Sequence, residues 1–169
     1  MPRYRRHFQP GQTLFLTLAT AGRRPWLAHD DARAHVLQAL RDTRRLHPFR
    51  HYGHVLLDDH LHLLLQPLAD AGAPALVGSF KRAVLACLLG RLAGETSRLW
   101  QRRYHDHVIR DADDFARHLD YLHFNPVKHG LVDRPEAWPW SSFHAWRQRG
   151  LYPEGWGWRE PASIRSMRE

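Results

Sequence analysis

The sequence predicts an α+β protein with a ferredoxin-like βαββαβ plan: an antiparallel sheet with helices on one face and a C-terminal helical or irregular extension. Short apolar runs of strand type alternate with longer segments of helical periodicity. Two of the strand-like runs are separated only by the turn residues Asp58 and Asp59, which predicts a hairpin. A single domain over residues 1–169 is expected, because a chain of this length can bury one core.

The predicted elements are each bounded by turn, capping or proline signals. In chain order they are a basic arm at 1–12, a strand at 13–20, a helix at 30–46, strands at 49–57 and 60–67, a helix at 74–93, a strand at 102–110, a helix from DADDF to about Phe124, and a tail at 133–169. We expect the third helix to end near Asn125, because Pro126 follows and disfavours helical geometry in the residue before it.

Charge gives the first indication of function. The chain has 25 Lys and Arg against 17 Asp and Glu, nearly all of the cations being arginine, and a pI near 10.5. Together with 19 Trp, Tyr and Phe residues, this composition is typical of a nucleic-acid binder, and a solvated basic surface is the alternative. A single cysteine excludes a disulfide framework and fits a reducing cytoplasm. The sequence contains neither an apolar run long enough for a membrane span nor the apolar core of a signal peptide.

Two His-x-His pairs, His60/His62 and His105/His107, are candidates for a metal site on a strand. With 14 histidines in 169 residues, random placement produces about one such pair, so the spacing alone says little. Residues two apart on a strand share a face, and leucines alternate with the first pair, which predicts a rigid central strand. Two hydrogen-bonded sheet histidines are the alternative. Arginines flank the second pair and disfavour a cation, so we interpret it as structural or DNA-facing.

The segment DFARHLDYLHFNPVKHGLV, residues 114–132, adds a possible nucleophile. On a helix, Tyr121 and Asn125 lie one turn apart on one face. A tyrosine with an amide oxygen beside it can approach an ion held by two histidines, and its phenol oxygen can attack a phosphodiester polarised by that ion. From these residues alone, an amphipathic tyrosine at the edge of the core, with Asn125 closing the helix, is the alternative.

Five segments together resemble a known family. They are PRYRR near the start, DDHLHLLL, LWQRRYHDHVIRD (99–111), DYLHFNPVKHGLV (120–132) and WPWSSFHAW (138–146). The sequence resembles the HUH single-tyrosine transposases, and most closely the REP-associated tyrosine transposases of bacteria. NPVKHGLV and WSSFH are highly specific, whereas the histidine pair by itself is not.

The resemblance implies a ferredoxin-like sheet with metal-binding His60 and His62 on a central strand, Tyr121 as nucleophile and Asn125 as third ligand. It implies cleavage and rejoining of single-stranded DNA at repetitive palindromic hairpins, through a 5′-phosphotyrosine and Mg²⁺ or Mn²⁺. A cytoplasmic, nucleoid-associated bacterial protein is expected, without a membrane partner. The family suggests a monomer, with a dimer left open. Asp58 departs from the family, which usually has proline there; this alters the turn or adds a carboxylate near the metal.

Other cations are candidates for DNA contacts, each with a solvated surface residue as the alternative. They are the arm residues Arg3, Arg5 and Arg6 and the phosphate-clamp candidates Lys81, Arg82, Arg102 and Arg103. The tryptophans of the tail are interpreted as packing residues rather than base-stacking ones. Two other functions compete with a strand transferase: a catalytically silent hairpin-binding protein, and a metal-dependent nuclease that activates water and forms no covalent adduct.

Overall fold

The computed structural model describes residues 11–68, 72–88 and 98–167, so the arm residues Arg3, Arg5 and Arg6 lie outside the described residues. The strands are β1 (Leu14–Ala19), β2 (Phe49–Leu56), β3 (His60–Pro67) and β4 (His105–Val108), and the longer helices are α1 (Asp30–Leu46), α2 (Gly72–Leu88), α3 (Ala112–Lys128) and α4 (Phe143–Gln148). In these ranges no helix combines the length and apolarity needed to cross a membrane.

The four strands form one antiparallel sheet in the order β2-β3-β1-β4. This order and the succession of elements confirm the ferredoxin-like βαββαβ plan. β3 and β1 are the two central strands, and their register pairs Thr17 with His62 and Ala19 with His60. The register therefore places the side chains of β1 directly beside the predicted metal-binding histidines.

Alternation along the central strands divides the core into two layers. One face carries Leu14, Leu16, Leu18, Leu61, Leu63 and Leu65, which pack against the apolar faces of α1 and α2. The opposite face carries Phe15 and Leu64, which belong to a second cluster with Leu119 and Leu122 of α3. The predicted pair of helices on one face is thus present, and α3 covers the other face with the C-terminal extension.

α3 is one turn longer than the sequence predicted. The expected end near Asn125 was wrong, because the helix continues through Pro126 to Lys128. It stops at a glycine instead: Gly130 has a left-handed φ of 68°, its N–H donates to the Val127 carbonyl, and the Leu131 N–H donates to the Pro126 carbonyl, both at 2.9 Å. These two bonds form a Schellman motif, which satisfies carbonyls at the end of the helix. The helix tolerates Pro126 in its last turn and continues for two more residues, 127 and 128.

The tail pairs with β2, at the edge of the sheet. The Leu56 N–H of β2 donates to the Trp140 carbonyl at 2.9 Å, and Val55 forms a bridge with Ser141. The Trp138 indole N–H donates to the Leu56 carbonyl at 2.9 Å. β2 is an edge strand, so these bonds cover groups that would otherwise remain unpaired.

Gly157 marks a close approach inside the tail. Its φ is 79°, and a Cβ built there would lie 2.5 Å from Cγ of Pro135. We expect Gly157→Ala to destabilise the protein by about 2 kcal/mol or more, measured by urea unfolding, since strain and a clash add. Gly130→Ala is the control: its φ is 68° with nothing within 4 Å, so only the conformational cost of about 1 kcal/mol applies. Equal losses in the two variants would contradict the clash.

Candidate active site

His60 and His62 lie on the face of β3 that α3 covers. Both are almost fully buried, at 1% exposure each, and their ring centroids are 5.0 Å apart. The sequence predicted this shared face from the alternation of β3. Because the strand is central and paired on both sides, the two rings have a fixed backbone beneath them.

A neighbouring oxygen fixes the orientation of each ring. Nδ1 of His60 lies 2.6 Å from Oδ1 of Asp59, and Nδ1 of His62 lies 2.9 Å from Oγ1 of Thr17. Phe15 stacks on His62 at 5.1 Å between centroids. A histidine held through Nδ1 is oriented to bind an ion through Nε2, as is usual for metal-ligating histidines.

The side chains of Tyr121 and Asn125 project from α3 toward the same two histidines. Both are buried, at 3% and 0% exposure, and the Tyr121 ring lies 5.6 Å from that of His62. The Asn125 amide nitrogen donates to the Tyr121 carbonyl at 3.3 Å. That bond leaves the amide oxygen as the group available to a ligand.

Two buried atoms at this spot lack a hydrogen-bond partner among the described residues: Nε2 of His62 and Oδ1 of Asn125. A buried polar atom left unpaired costs about 1–3 kcal/mol, so such atoms usually have a ligand. Imidazole nitrogens together with an amide oxygen are suitable ligands for a divalent cation such as Mn²⁺. His60, His62 and Asn125 therefore fit the metal that the sequence resemblance implies.

Electrostatics keep the His62 ring neutral. Burial lowers the pKa of His62 well below its usual value, and the nearby charges of His60, His129 and Lys128 lower it further, while the neighbouring Asn125 amide opposes the shift. A neutral imidazole is the form that binds metals. The ring can thus accept an ion at neutral pH without first losing a proton.

The site opens into a pocket of about 500 Å³. His60, His62 and Tyr121 line it together with Arg23 and Arg103, which supply positive charge. Among the predicted phosphate-clamp residues, Arg103 is the one that lines this pocket with Tyr121. Arg23 also lies 3.5 Å from the Asp59 carboxylate, so a cation, a carboxylate and a histidine form a chain along the pocket edge.

The other described cations that were predicted to contact DNA do not line the pocket. Lys81 donates to the Gln101 carbonyl at 2.7 Å, and Arg82 donates to Ser79 at 3.0 Å, both on or beside α2. Arg102 is exposed. Of the four described candidates, only Arg103 therefore lines the pocket.

The two histidines of the second pair both lie on β4 and line the pocket, but their contacts differ. His105 is exposed on β4, whereas His107 joins Asp114 and His118 of α3 in a group whose ligand atoms lie within 4.8 Å of one another. These three residues are a second possible metal-binding group. The carboxylate is already engaged: Arg110 donates to it at 3.0 Å and His107 lies 2.8 Å away. Those contacts hold the pKa of Asp114 well below its usual range.

Asp58 does not act as the extra metal-side carboxylate that the sequence allowed. Its Oδ1 lies 2.5 Å from the Arg33 guanidinium, which is buried and stacks over the Trp138 ring at 4.6 Å. The Asp58 carbonyl accepts from the Leu27 N–H at 3.1 Å. The departure from the family therefore changes how the β2–β3 turn is anchored, and the carboxylate beside the histidines is Asp59.

The tail tryptophans mainly pack, as the sequence suggested. The Trp146 indole N–H donates to the Tyr52 carbonyl at 2.7 Å, and the Trp140 indole donates to Asp30 at 2.8 Å. Trp156 stacks on Phe143 at 5.7 Å. Trp158 differs: it is 54% exposed, with its indole bonded to Glu136.

Comparison with known proteins identifies the family. A relative of this chain from Haemophilus influenzae, named as a REP-associated tyrosine transposase, is 36% identical over 93% of this chain and 94% of its own length. A second, the REP-associated tyrosine transposase of Escherichia coli, is 34% identical over 92% of this chain and 91% of its own. The chain belongs to the REP-associated tyrosine transposases. No family model matches it.

Solved structures include one protein of the same family and a second protein that shares the fold of this transposase. A REP-associated tyrosine transposase bound to a REP hairpin superposes with a TM-score of 0.82, at 29% identity and with full coverage of both chains. A protein from Deinococcus radiodurans described as a transposase gives a TM-score of 0.50 at 18% identity, over 71% of this chain and 95% of its own, which shows a shared fold alone.

Sequence reasoning missed several residues that line the pocket or contact the residues lining it. Asp59 and Lys128 lie inside the quoted motifs, so proximity in sequence could have found them. Phe15 and Thr17 contact His62 only because β1 pairs with β3, a register that the sequence does not reveal. Arg23 reaches the pocket edge from the turn after β1.

The hydrogen bond between Asp59 and His60 leads to a test of the metal site. We expect Asp59→Asn to weaken Mn²⁺ binding by about 10–100-fold, since a carboxylate beside a ligand histidine raises its basicity and fixes its ring. The measurement is Mn²⁺ titration of the DNA-free protein by electron paramagnetic resonance. Asp106→Asn removes the same charge from another residue that lines the pocket and is expected to leave the affinity unchanged. Equal weakening in both variants would assign the effect to charge rather than to the bond.

Proposed function

We propose that this transposase cleaves and rejoins single-stranded DNA beside hairpins of repetitive palindromic sequence, through a 5′-phosphotyrosine on Tyr121. The observation that carries the proposal is that Tyr121, His60 and His62 line one pocket together with Arg23 and Arg103, with the buried Asn125 amide bonded to the Tyr121 carbonyl beside them. The hairpin is the substrate proposed because a structural relative covering the whole chain is bound to a REP hairpin.

The chemistry uses the phenol oxygen of Tyr121 as nucleophile. That oxygen forms a bond to the phosphorus, the bond from phosphorus to the 3′-oxygen breaks, and a free 3′-hydroxyl is released. Rejoining is the same reaction in reverse, with the 3′-hydroxyl as nucleophile and the phenol oxygen as leaving group. No water enters the bond changes, so the energy of the phosphodiester is retained in the phosphotyrosine.

Mg²⁺ or Mn²⁺ is the proposed cofactor, with His60, His62 and Asn125 as its protein ligands. A bound divalent ion would supply positive charge to the non-bridging oxygens of the scissile phosphate. The protein holds its ligands in place before the ion arrives: Asp59 and Thr17 orient the imidazoles, and burial keeps His62 neutral.

DNA backbone contacts are proposed for the cations predicted from the sequence. Arg103 has the strongest support because it lines the pocket; the others are Arg3, Arg5, Arg6, Lys81, Arg82 and Arg102. We further propose that residues 1–169 act as one domain and as a monomer, in the cytoplasm.

A labelled hairpin oligonucleotide with a single-stranded flank tests the function. Incubated with the protein and Mn²⁺, it should form an adduct that survives denaturation and disappears on proteolysis. Cleavage without an adduct would favour a water-activating nuclease, and binding without cleavage would favour a silent hairpin-binding protein. Either result contradicts the strand transferase.

A further inference from the structure

Lys128 contacts the atom that the proposed reaction uses as nucleophile. Its ammonium donates a hydrogen bond to the Tyr121 phenol oxygen at 3.1 Å and lies 4.6 Å from the centre of the ring. The two residues are seven apart on α3, two helical turns, so the backbone of one rigid helix sets their separation. The longer course of α3, through Pro126, is what places Lys128 on the helix at all.

The choice of lysine is unusual in this chain. Only two of its 25 cationic residues are lysines, Lys81 and Lys128, and the rest are arginines. A lysine ammonium is a compact point charge with donors that rotate, whereas a guanidinium is a broad planar fork. A compact donor suits a single oxygen at the edge of a pocket that must also admit a phosphodiester.

No acidic residue among those described forms a salt bridge with Lys128 at 4.0 Å or less. The side chain is exposed overall, yet its printed contacts are the phenol oxygen and the face of the same ring. An exposed lysine whose hydrogen bond goes to a tyrosine, rather than to a carboxylate, adds little to folding stability. The positive charge of Lys128 lies next to the Tyr121 phenol oxygen, with no carboxylate paired to it among the described residues.

We propose that Lys128 is a catalytic residue that stabilises negative charge on the Tyr121 phenol oxygen, during attack on the phosphodiester and again when that oxygen leaves. This inference rests on the proposed function. In cleavage the phenol proton passes to solvent, the bond from the phenol oxygen to phosphorus forms, and the departing 3′-oxygen takes a proton from solvent. Lys128 keeps its own protons and acts through charge alone.

A charge that stabilises the transition state more than the free enzyme or the adduct has a defined kinetic signature. In the proposed step the oxygen begins in a phenol and ends in a phosphate ester, and negative charge develops on it between those two states, where the ammonium interacts most strongly. Removing the charge should therefore slow cleavage and rejoining by the same factor. The ratio of adduct to free enzyme at equilibrium should stay unchanged.

The experiment measures single-turnover adduct formation by wild type, Lys128→Met and Lys128→Arg at saturating hairpin oligonucleotide with Mn²⁺. We expect Lys128→Met to be about 100-fold slower, the usual cost of removing one donor aimed at a charged oxygen. Rejoining, started by adding a 3′-hydroxyl oligonucleotide to the isolated adduct, should slow by the same factor. Lys128→Arg keeps the charge and should lie closer to wild type than to Lys128→Met in both directions.

Arg45→Met is the matched control, because it removes one positive charge from α1 on the opposite side of the sheet, at a side chain 79% exposed. It should react like wild type. Lys128→Gln serves as a second neutral variant, and thermal melting checks that each variant is folded.

Three results would overturn the inference: Lys128→Met matches Arg45→Met in rate, it loses rate only in proportion to hairpin affinity, or it slows one direction alone. The second result would make Lys128 a DNA-backbone contact. A wild type that forms no adduct would refute the proposed function itself, and this inference with it, so the two failures are distinguishable.

Discussion

Tyr121→Phe is expected to bind the hairpin oligonucleotide as tightly as wild type while forming no covalent adduct. The substitution removes only the phenol oxygen, and the ring keeps its edge contacts with Phe15 at 6.0 Å and with His62 at 5.6 Å. Loss of a covalent nucleophile costs several orders of magnitude in rate, here at least about 1,000-fold. Adduct formation is followed by denaturing gel electrophoresis, and affinity by fluorescence anisotropy.

Tyr52→Phe provides the matched control for this variant. Its hydroxyl donates to Gln66 at 3.1 Å, outside the pocket. The variant therefore loses a tyrosine hydroxyl group, as Tyr121→Phe does, but away from the proposed site. It should form the adduct at the wild-type rate. Residual adduct in Tyr121→Phe would show that another side chain carries the DNA, and the tyrosine mechanism would then be wrong.

Acidification to pH 5 is expected to destabilise the folded protein by roughly 6 kcal/mol relative to pH 8. Burial lowers the pKa of His51 to about 4 and the pKa values of His54 and His123 to about 3. Unfolded, the same side chains titrate near 6.5. The unfolded state therefore binds more protons as the pH falls below 6.5, and each histidine contributes about 2 kcal/mol of lost stability at pH 5.

The structure explains why these rings stay neutral. His123 lies between the Tyr152 hydroxyl and the Ser142 hydroxyl, both at 2.8 Å, and His51 and His54 stack on each other at 5.1 Å. None of the three is within salt-bridge distance of a carboxylate in the described part of the chain. A proton added to any of them would remain uncompensated in the core.

Urea unfolding at pH 8, 6.5 and 5 measures this loss. His54→Phe, which keeps a stacking ring and removes the titration, should lose about 2 kcal/mol less than wild type between pH 8 and 5. His105→Gln alters an exposed histidine and should lose as much as wild type. A wild type equally stable at pH 5 and pH 8 would contradict the buried neutral histidines.

Local patterns in the sequence were sufficient for much of the site. Alternation along β3 placed His60 and His62 on one face, and helical spacing placed Tyr121 and Asn125 together, because both periodicities depend on the backbone alone. The same patterns predicted the order of strands and helices. Antiparallel pairing of β3 with β1 then followed from the fold class.

Features that depend on pairing across the chain were beyond the sequence. Thr17 meets His62 only in one strand register, and Arg33 meets Asp58 only after α1 has packed on the sheet. Lys128 was hidden by a specific error: a helix stopped at Pro126 does not include the residue two turns after Tyr121. The helix continues past Pro126 and ends before Gly130, four residues later, where the Schellman hydrogen bonds form.

The ion pair between Asp58 and Arg33 sets a lower limit on the length of any shortened chain that keeps the proposed site intact. Arg33 belongs to α1, Asp58 lies in the turn before the histidine strand, and Trp138, on which the guanidinium stacks, belongs to the tail. Trp138 also bonds to the Leu56 carbonyl at the other end of the same turn. A chain shortened to the βαββαβ unit and α3 alone would keep every proposed ligand and the nucleophile, yet lose the ring that packs on this ion pair. The extension is therefore part of the scaffold that supports the turn before the proposed metal ligands.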